Sequence, residues 1–201
     1  MSTTPVRHPR RARRTALLAV LIAGAAASAV QAALPAGSLT ANPSFETGTA
    51  GWMGYQATLL RVAASDAPDG AYVARATYTS GGYYTIDDDP NTVTSSVAGA
   101  TYAGQAWVKS ASASATGKVV YLRVRERAAS GAVVKEWSSP AVKLGATFTR
   151  LNVSAVAVKS GDQVDIRVSQ NPAATGDAFY VDGITLTGPG AAATPPPPAP
   201  S

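Results

Sequence analysis

The sequence predicts an all-β fold, an antiparallel β-sandwich or jelly roll, framed by two segments that lie outside it. Three observations carry this. Between Leu34 and about Gly188 the chain is rich in Val, Thr, Tyr and Ile, with apolar residues in period-two alternation. Clusters of Gly, Ser, Asp and Asn interrupt these runs every few residues. No amphipathic helical stretch of useful length appears, so the crossover helices that parallel strands require are missing.

Residues 1–32 read as a signal peptide. Arg7, Arg10, Arg11, Arg13 and Arg14 form a basic start, and Ala16 to Ala29 is an almost unbroken apolar run. Val30-Gln31-Ala32 offers small residues at −3 and −1 of a cleavage site, and Ala27-Ser28-Ala29 offers a second. The run is short for a membrane span, which needs about 20 residues. A secreted, extracellular protein with no membrane span after cleavage is expected, by either the general or the twin-arginine route. Residues 33–188 form the sandwich. Residues 189–201, with Pro195 to Pro198 in a row, read as an extended Pro-rich linker or tail.

Within the sandwich the expected strands are Thr58–Ala63, Ala71–Tyr78, Tyr83–Asp87, Thr92–Val97, Thr101–Lys109, Lys118–Arg127, Val133–Trp137, Ala141–Lys143, Phe148–Ala157, Gln163–Gln170 and Phe179–Thr187. Alternation assigns their faces. Tyr102, Gly104, Ala106 and Val108 share one face of their strand, with Gln105 and Trp107 on the other. Val120, Leu122 and Val124 look inward, with Tyr121, Arg123 and Arg125 outward. Val164, Ile166 and Val168 look inward, with Asp165, Arg167 and Ser169 outward. A one-residue slip would expose each apolar set, so the facing is well specified.

Charge narrows the partners. The chain holds 17 Lys+Arg and 12 Asp+Glu, and five of those arginines precede the cleavage site, so the mature domain is formally neutral. Nucleic acid requires clustered positive charge, which this balance does not supply. A neutral exported domain, expected as a monomer, points to uncharged partners such as glycans. Chemistry is narrowed too. Cysteine is absent, and the single histidine, His8, leaves with the signal peptide. No Ser-His-Asp triad, Cys-His dyad or ordinary zinc site can be assembled. Paired carboxylates remain as the one enzymatic route, with Glu126 and Glu136 as candidates. Their ordinary reading is as solvated residues paired with Arg125 and Arg127. Asp87-Asp88-Asp89 reads as a solvated acidic turn.

Several fragments, taken in order, resemble a known family. They are Asn42-Pro43-Ser44-Phe45-Glu46 with Gly51-Trp52, then Asp69-Gly70-Ala71-Tyr72, then Trp107-Val108-Lys109, and finally Phe179-Tyr180-Val181-Asp182-Gly183-Ile184. Together they are similar to carbohydrate-binding modules of the family 4, 9 and 22 type, over nearly all of residues 39–187, and the resemblance implies the galactose-binding-like jelly roll that those modules share. The resemblance implies a non-catalytic module that binds polysaccharide or cell-wall glycan. It also implies a structural Ca2+ where the first and last segments meet. Glu46 and Asp182 match the ligating carboxylates, and Ser44, Asp66 and Asp69 fall where further oxygens would come from. Gly183 departs from the second acid that many relatives carry there.

Flat aromatic faces for sugar rings and planar polar groups for hydroxyls define the expected binding face. Trp107 with Gln105, and Tyr121 with Arg123, are taken to lie on adjacent strands joined by a short Ser/Ala/Gly loop. Arg167 and Asn152 are expected to join them, with Tyr55, Tyr83 and Tyr84 at the rim. Trp52 is expected to plug the core or its edge. Two other functions fit the same fold: a structural or adhesive cell-surface sandwich without a sugar site, and a small polysaccharide-degrading enzyme.

Overall fold

The computed structural model describes Met1 and residues 34–189; the expected signal peptide and nearly all of the Pro-rich tail lie outside the described residues. The sandwich is built from two antiparallel sheets. The front sheet runs β1 (Trp52–Tyr55), β4 (Tyr84–Asp88), β10 (Gln163–Gln170), β6 (Val119–Arg127) and β7 (Val133–Ser138), and a short β8 (Val142–Lys143) also pairs with β6. The back sheet runs β2 (Ala57–Ala63), β3 (Tyr72–Tyr78), β11 (Ala178–Thr187), β5 (Thr101–Ser110) and β9 (Thr149–Val156). Among the described residues no helix is long and apolar enough to cross a membrane.

The core sits where the alternation puts it. Val120, Leu122, Val124, Val164, Ile166 and Val168 of the front sheet are buried, as are Tyr102, Ala106, Val108, Leu151 and Leu186 of the back sheet. The sheets approach closely at Gly104. A Cβ there would meet Val153 Cγ1 at 2.8 Å and Ile166 Cδ1 at 2.9 Å, so only glycine fits.

Two strand expectations fail for local reasons. Thr92–Val97 is not a strand. Only Val93 pairs, through an isolated bridge to Val164, while the Ser96 amide is spent on the Asp162 carbonyl at 2.6 Å. Trp52–Tyr55 is a strand that the pattern hides, being short and holding Gly54. Trp52 is indeed a plug: it is buried, packs on Phe45 at 5.8 Å, and its indole N–H donates to the Ala41 and Asn42 carbonyls.

A third difference matters most for function. β5 and β6 do not pair but belong to opposite sheets. Their linker is no hairpin turn. Ser112 caps a 3-10 turn at Ala113–Ala115 by accepting the Ala115 amide, and buried Ala115 anchors the chain as it crosses the sandwich.

Buried acids tie the edges together. Asp88 is not part of a solvated turn but lies inside the front sheet, accepting the Thr92 amide at 2.6 Å and the Ile166 amide at 3.0 Å. Burial pushes its carboxyl from 3.8 up to about 7, against those hydrogen bonds. The sign of the consequence is fixed. Below about pH 4 Asp88 is protonated folded and unfolded alike and contributes no slope, its stability term being fully present. Between about pH 4 and pH 7 the unfolded chain has released the proton that the folded chain keeps in order to stay buried, so stability falls as pH rises. The slope is up to about 1.4 kcal/mol per unit. Asp88→Asn is expected to flatten the melting temperature over this window; equal slopes for parent and variant would contradict the assignment. Asp182, also raised to about 7, leaves a residual slope of the same sign.

Candidate functional site

The outer face of the front sheet gathers charge and rings that the period-two pattern turns away from the core. Arg123 and Arg167 lie directly opposite one another on β6 and β10, as do Arg125 and Asp165, and Tyr121 and Ser169. Asp87 of β4 lies across from Arg167 on its other side. Like charges side by side repel, and the sheet answers with Glu136 from β7. Its carboxylate spans the pair, taking Arg123 Nη1 at 2.7 Å and Arg167 Nη2 at 2.8 Å. Asp165, almost fully buried, accepts from both Arg125 Nε at 2.6 Å and Arg127 Nε. Asp87 accepts from Arg125 and from Thr85. Burial pushes the Asp87 carboxyl up, and Arg125 only partly offsets this.

Two adjoining hollows open on this face. One, of about 290 Å³, is lined by Tyr83, Arg123, Glu136, Arg167, Ser169 and Asn171. The other, of about 270 Å³, is lined by Tyr55, Tyr83, Asp87, Arg125, Arg127 and Arg167. Tyr83 and Arg167 border both. Tyr55 and Tyr83 stack with ring centroids 5.6 Å apart, raising a flat aromatic wall from β1 and the β3–β4 loop. Three side chains that line the first hollow each hold a buried polar atom with no hydrogen-bond partner among the described residues: Arg123 Nε, Arg167 Nε and Ser169 Oγ. An unmade hydrogen bond of this kind costs about 1–3 kcal/mol.

The expected binding residues are therefore divided. Tyr121, Arg123 and Arg167 are together on the front face, and the Arg123 guanidinium lies 5.2 Å from the Tyr121 ring. Trp107 and Gln105 are on the outer face of the back sheet and cannot share a ligand subsite with them. Tyr84 is not at the rim. Its ring is fully buried between Tyr78 and Phe179, and its hydroxyl donates to Gln170 Oε1 at 2.8 Å. Glu136, Asp87, Arg125, Arg127 and Ser169 are front-face residues that the expected binding set lacks, although their outward phase was readable for all but Glu136 and Asp87. Glu126 is on the inner side of the sheet, fully buried, without an arginine partner among the described residues. It and Glu136 point to opposite faces, so they cannot flank one glycosidic bond.

Trp107 is half-buried rather than open. Its ring packs against the Cβ-less surface of Gly183 and lies 5.8 Å from the Arg150 guanidinium. A third hollow, of about 350 Å³, opens on this back sheet, lined among others by Gln105, Asn152, Thr185 and Pro35.

The expected metal region forms where the first segment runs along β11. Ile184 donates to the Pro43 carbonyl, and Thr40 to the Ile184 carbonyl. Asn42, with φ at 43°, brackets the turn by donating to the Gly48 carbonyl. Glu46 Oε1 accepts the Ala71 and Tyr72 amides, and Asp182 accepts the Asp69 and Gly183 amides. Glycine suits position 70, whose φ is 69°, and a Cβ there would push on the Glu46 carboxylate. Burial pushes the Asp182 carboxyl up to about 7, and repulsion from Asp69 and Glu46 adds to it. The Asp66 carboxylate is bound to Lys109 Nζ at 2.7 Å and is drawn out of this region. Ser44 is half-buried next to Phe45. Among the described residues, no group of three or more His, Cys, Asp or Glu side chains is disposed around one point.

No protein-family profile matches the chain, and no curated protein matches it in sequence. Solved structures match it in fold. A family 22 xylan-binding domain from Paenibacillus barcinonensis is 16% identical, with a TM-score of 0.58 over 78% of this chain and 97% of that one. A Stig cyclase from Fischerella sp. TAU is 15% identical, with a TM-score of 0.53 over 77% of this chain and 96% of that one. The enzymatically active domain of bacteriophage CBA120 tailspike protein 4 is 10% identical with a TM-score of 0.60, and the chain spans only 21% of it. At these identities the likeness is one of fold. The chain has the antiparallel jelly-roll fold shared by carbohydrate-binding modules of the family 22 type, the same sandwich on which a cyclase is also built.

Proposed function

We propose that the domain is an exported, non-catalytic module that binds polysaccharide on the outer face of its front sheet. The observation that carries this is the first hollow: an aromatic wall at Tyr83 beside three buried polar atoms without partners among the described residues, Arg123 Nε, Arg167 Nε and Ser169 Oγ. A ring that covers about 50 Å² of a sugar face gains roughly 1 kcal/mol, so two adjoining hollows and a stacked tyrosine pair suit a chain rather than a single sugar. The outward carboxylates support binding over hydrolysis, because Asp87, Glu136 and Asp165 are each held in ion pairs with arginines. Affinity electrophoresis through gels cast with neutral and acidic polysaccharides tests the proposal. Retardation by at least one is expected, and migration unchanged in all of them would leave a structural or adhesive role.

A structural Ca2+ is part of the proposal. Asp69 and Glu46 both repel the Asp182 carboxylate, none of the three has an ion-pair partner among the described residues, and a buried carboxylate raised to about 7 is the kind of group a cation relieves. Glu46 and Asp182 would hold the ion, with main-chain oxygens completing the roughly 6–8 ligands calcium takes. Ca2+ at a hundredfold excess over its Kd is then expected to add about 2.7 kcal/mol of stability. A melting curve indifferent to Ca2+ and EDTA would remove the ion from the account.

A further inference from the structure

We infer that the preferred ligand is an acidic glycan, whose sugar carboxylate docks on the Arg123–Arg167 pair; this rests on the glycan-binding reading above. The formal neutrality of the chain beyond residue 32 hides a local imbalance. On the front face Arg123, Arg125, Arg127 and Arg167 meet Asp87, Glu136 and Asp165, four cations against three anions. Arg125 and Arg127 are matched by Asp165 and Asp87, so the surplus charge falls on Arg123 and Arg167, which share the single carboxylate of Glu136. Other acids lie elsewhere. Asp177 pairs with Lys118, Asp66 with Lys109, and Glu46 and Asp182 sit with the back sheet.

The pair also displays the recognition it would use. Glu136 bridges the two guanidiniums with one oxygen each, at 2.7 and 2.8 Å, so their spacing matches a single planar carboxylate. What the residues lining the same hollow leave without a partner among the described residues are donors: Arg123 Nε, Arg167 Nε and the Ser169 hydroxyl. Two of the three belong to cations, and all can donate a hydrogen bond to an acceptor. A neutral sugar hydroxyl, with two lone pairs, can accept from two of them at most and carries no charge. A carboxylate, with about four lone-pair sites, has acceptors enough for all three and neutralises the surplus charge. Tyr83, at the mouth, would cover the ring that carries it.

The test uses the parent domain with polygalacturonate, alginate and glucuronoxylan, each alongside a carboxyl-reduced form in which the acid has become a hydroxymethyl group. Retention of at least one acidic polymer is expected, falling at least tenfold on carboxyl reduction and weakening as salt rises from low to about 0.5 M. Glu136→Gln, which frees both arginines, is expected to tighten acidic binding severalfold at low salt, with folding checked by circular dichroism. Equal binding of acidic and reduced forms, or binding of neutral polymers alone, would overturn the inference while leaving glycan binding intact. Equal binding of a sulfated glycan before and after carboxyl reduction would overturn the carboxylate in favour of sulfate. Binding to none would sink both.

Discussion

Glu126→Ala is expected to lower the unfolding free energy by roughly 3–5 kcal/mol, the largest stability loss of any single polar change in the domain. The carboxylate is fully buried and has no cationic partner among the described residues. Its two oxygens are spent on consecutive amides, Val158 N at 2.7 Å and Lys159 N at 2.8 Å. These amides begin the β9–β10 connection, so Glu126 fixes where β9 ends and where β10 re-enters the front sheet. Charge-assisted bonds of this kind are worth about twice a neutral one. Alanine removes both and leaves a cavity under the loop. Glu126→Gln keeps one acceptor but turns an amide N–H toward a backbone N–H, so an intermediate loss of about 1–3 kcal/mol is expected. Urea denaturation of parent and both variants measures this. Losses under about 1 kcal/mol for both would show that the loop holds itself. At roughly 2–4 °C per kcal/mol for a domain of this size, the alanine variant melts some 10 °C lower.

Much of this fold was legible, and the reason is the strength of its alternation. Along most of β6 and β10 every second residue is Val, Leu or Ile, and those residues are the core. The outward phase of Tyr121, Arg123, Arg125, Arg167 and Ser169 followed directly. What alternation cannot reveal is which strands share a sheet. The Ala111–Gly117 region looks like a hairpin loop because it is short and small-residued. It instead forms a capped 3-10 turn whose anchor, Ala115, is an ordinary alanine in the sequence. That one connection separates Trp107 from Tyr121 and splits the expected site. Glu126 and Asp88 were misjudged for a related reason. An acid in a strand looks solvated unless its backbone partners, tens of residues away, are known.

Tyr83→Ala is expected to weaken polysaccharide binding at least tenfold, and Tyr55→Ala with Tyr83→Ala about a hundredfold, while Trp107→Ala leaves it unchanged. Tyr83 borders both front-face hollows and stacks on Tyr55, so its loss removes ring area from each subsite at once. At ~25 cal/mol per Å², about 50 Å² of lost contact is roughly 1.3 kcal/mol, close to a factor of ten. Tyr55 is 43% exposed and Tyr83 half-buried, so neither fills the core and both variants should fold. Trp107 differs on every count. It lies on the other sheet, packs against Gly183, and has its indole nitrogen buried without a partner among the described residues. Its truncation should cost about 1–2 kcal/mol of stability through lost packing and nothing in affinity. Tyr121→Ala falls between these, loosening Arg123, which rests 5.2 Å from its ring, and so weakening binding a fewfold. Binding isotherms on one polysaccharide, with melting curves for each variant, separate the two faces. If Trp107→Ala abolishes binding while still folded and Tyr83→Ala does not, the ligand lies across Gln105, Asn152 and Thr185 on the back sheet, and the front-face arginines are a structural network.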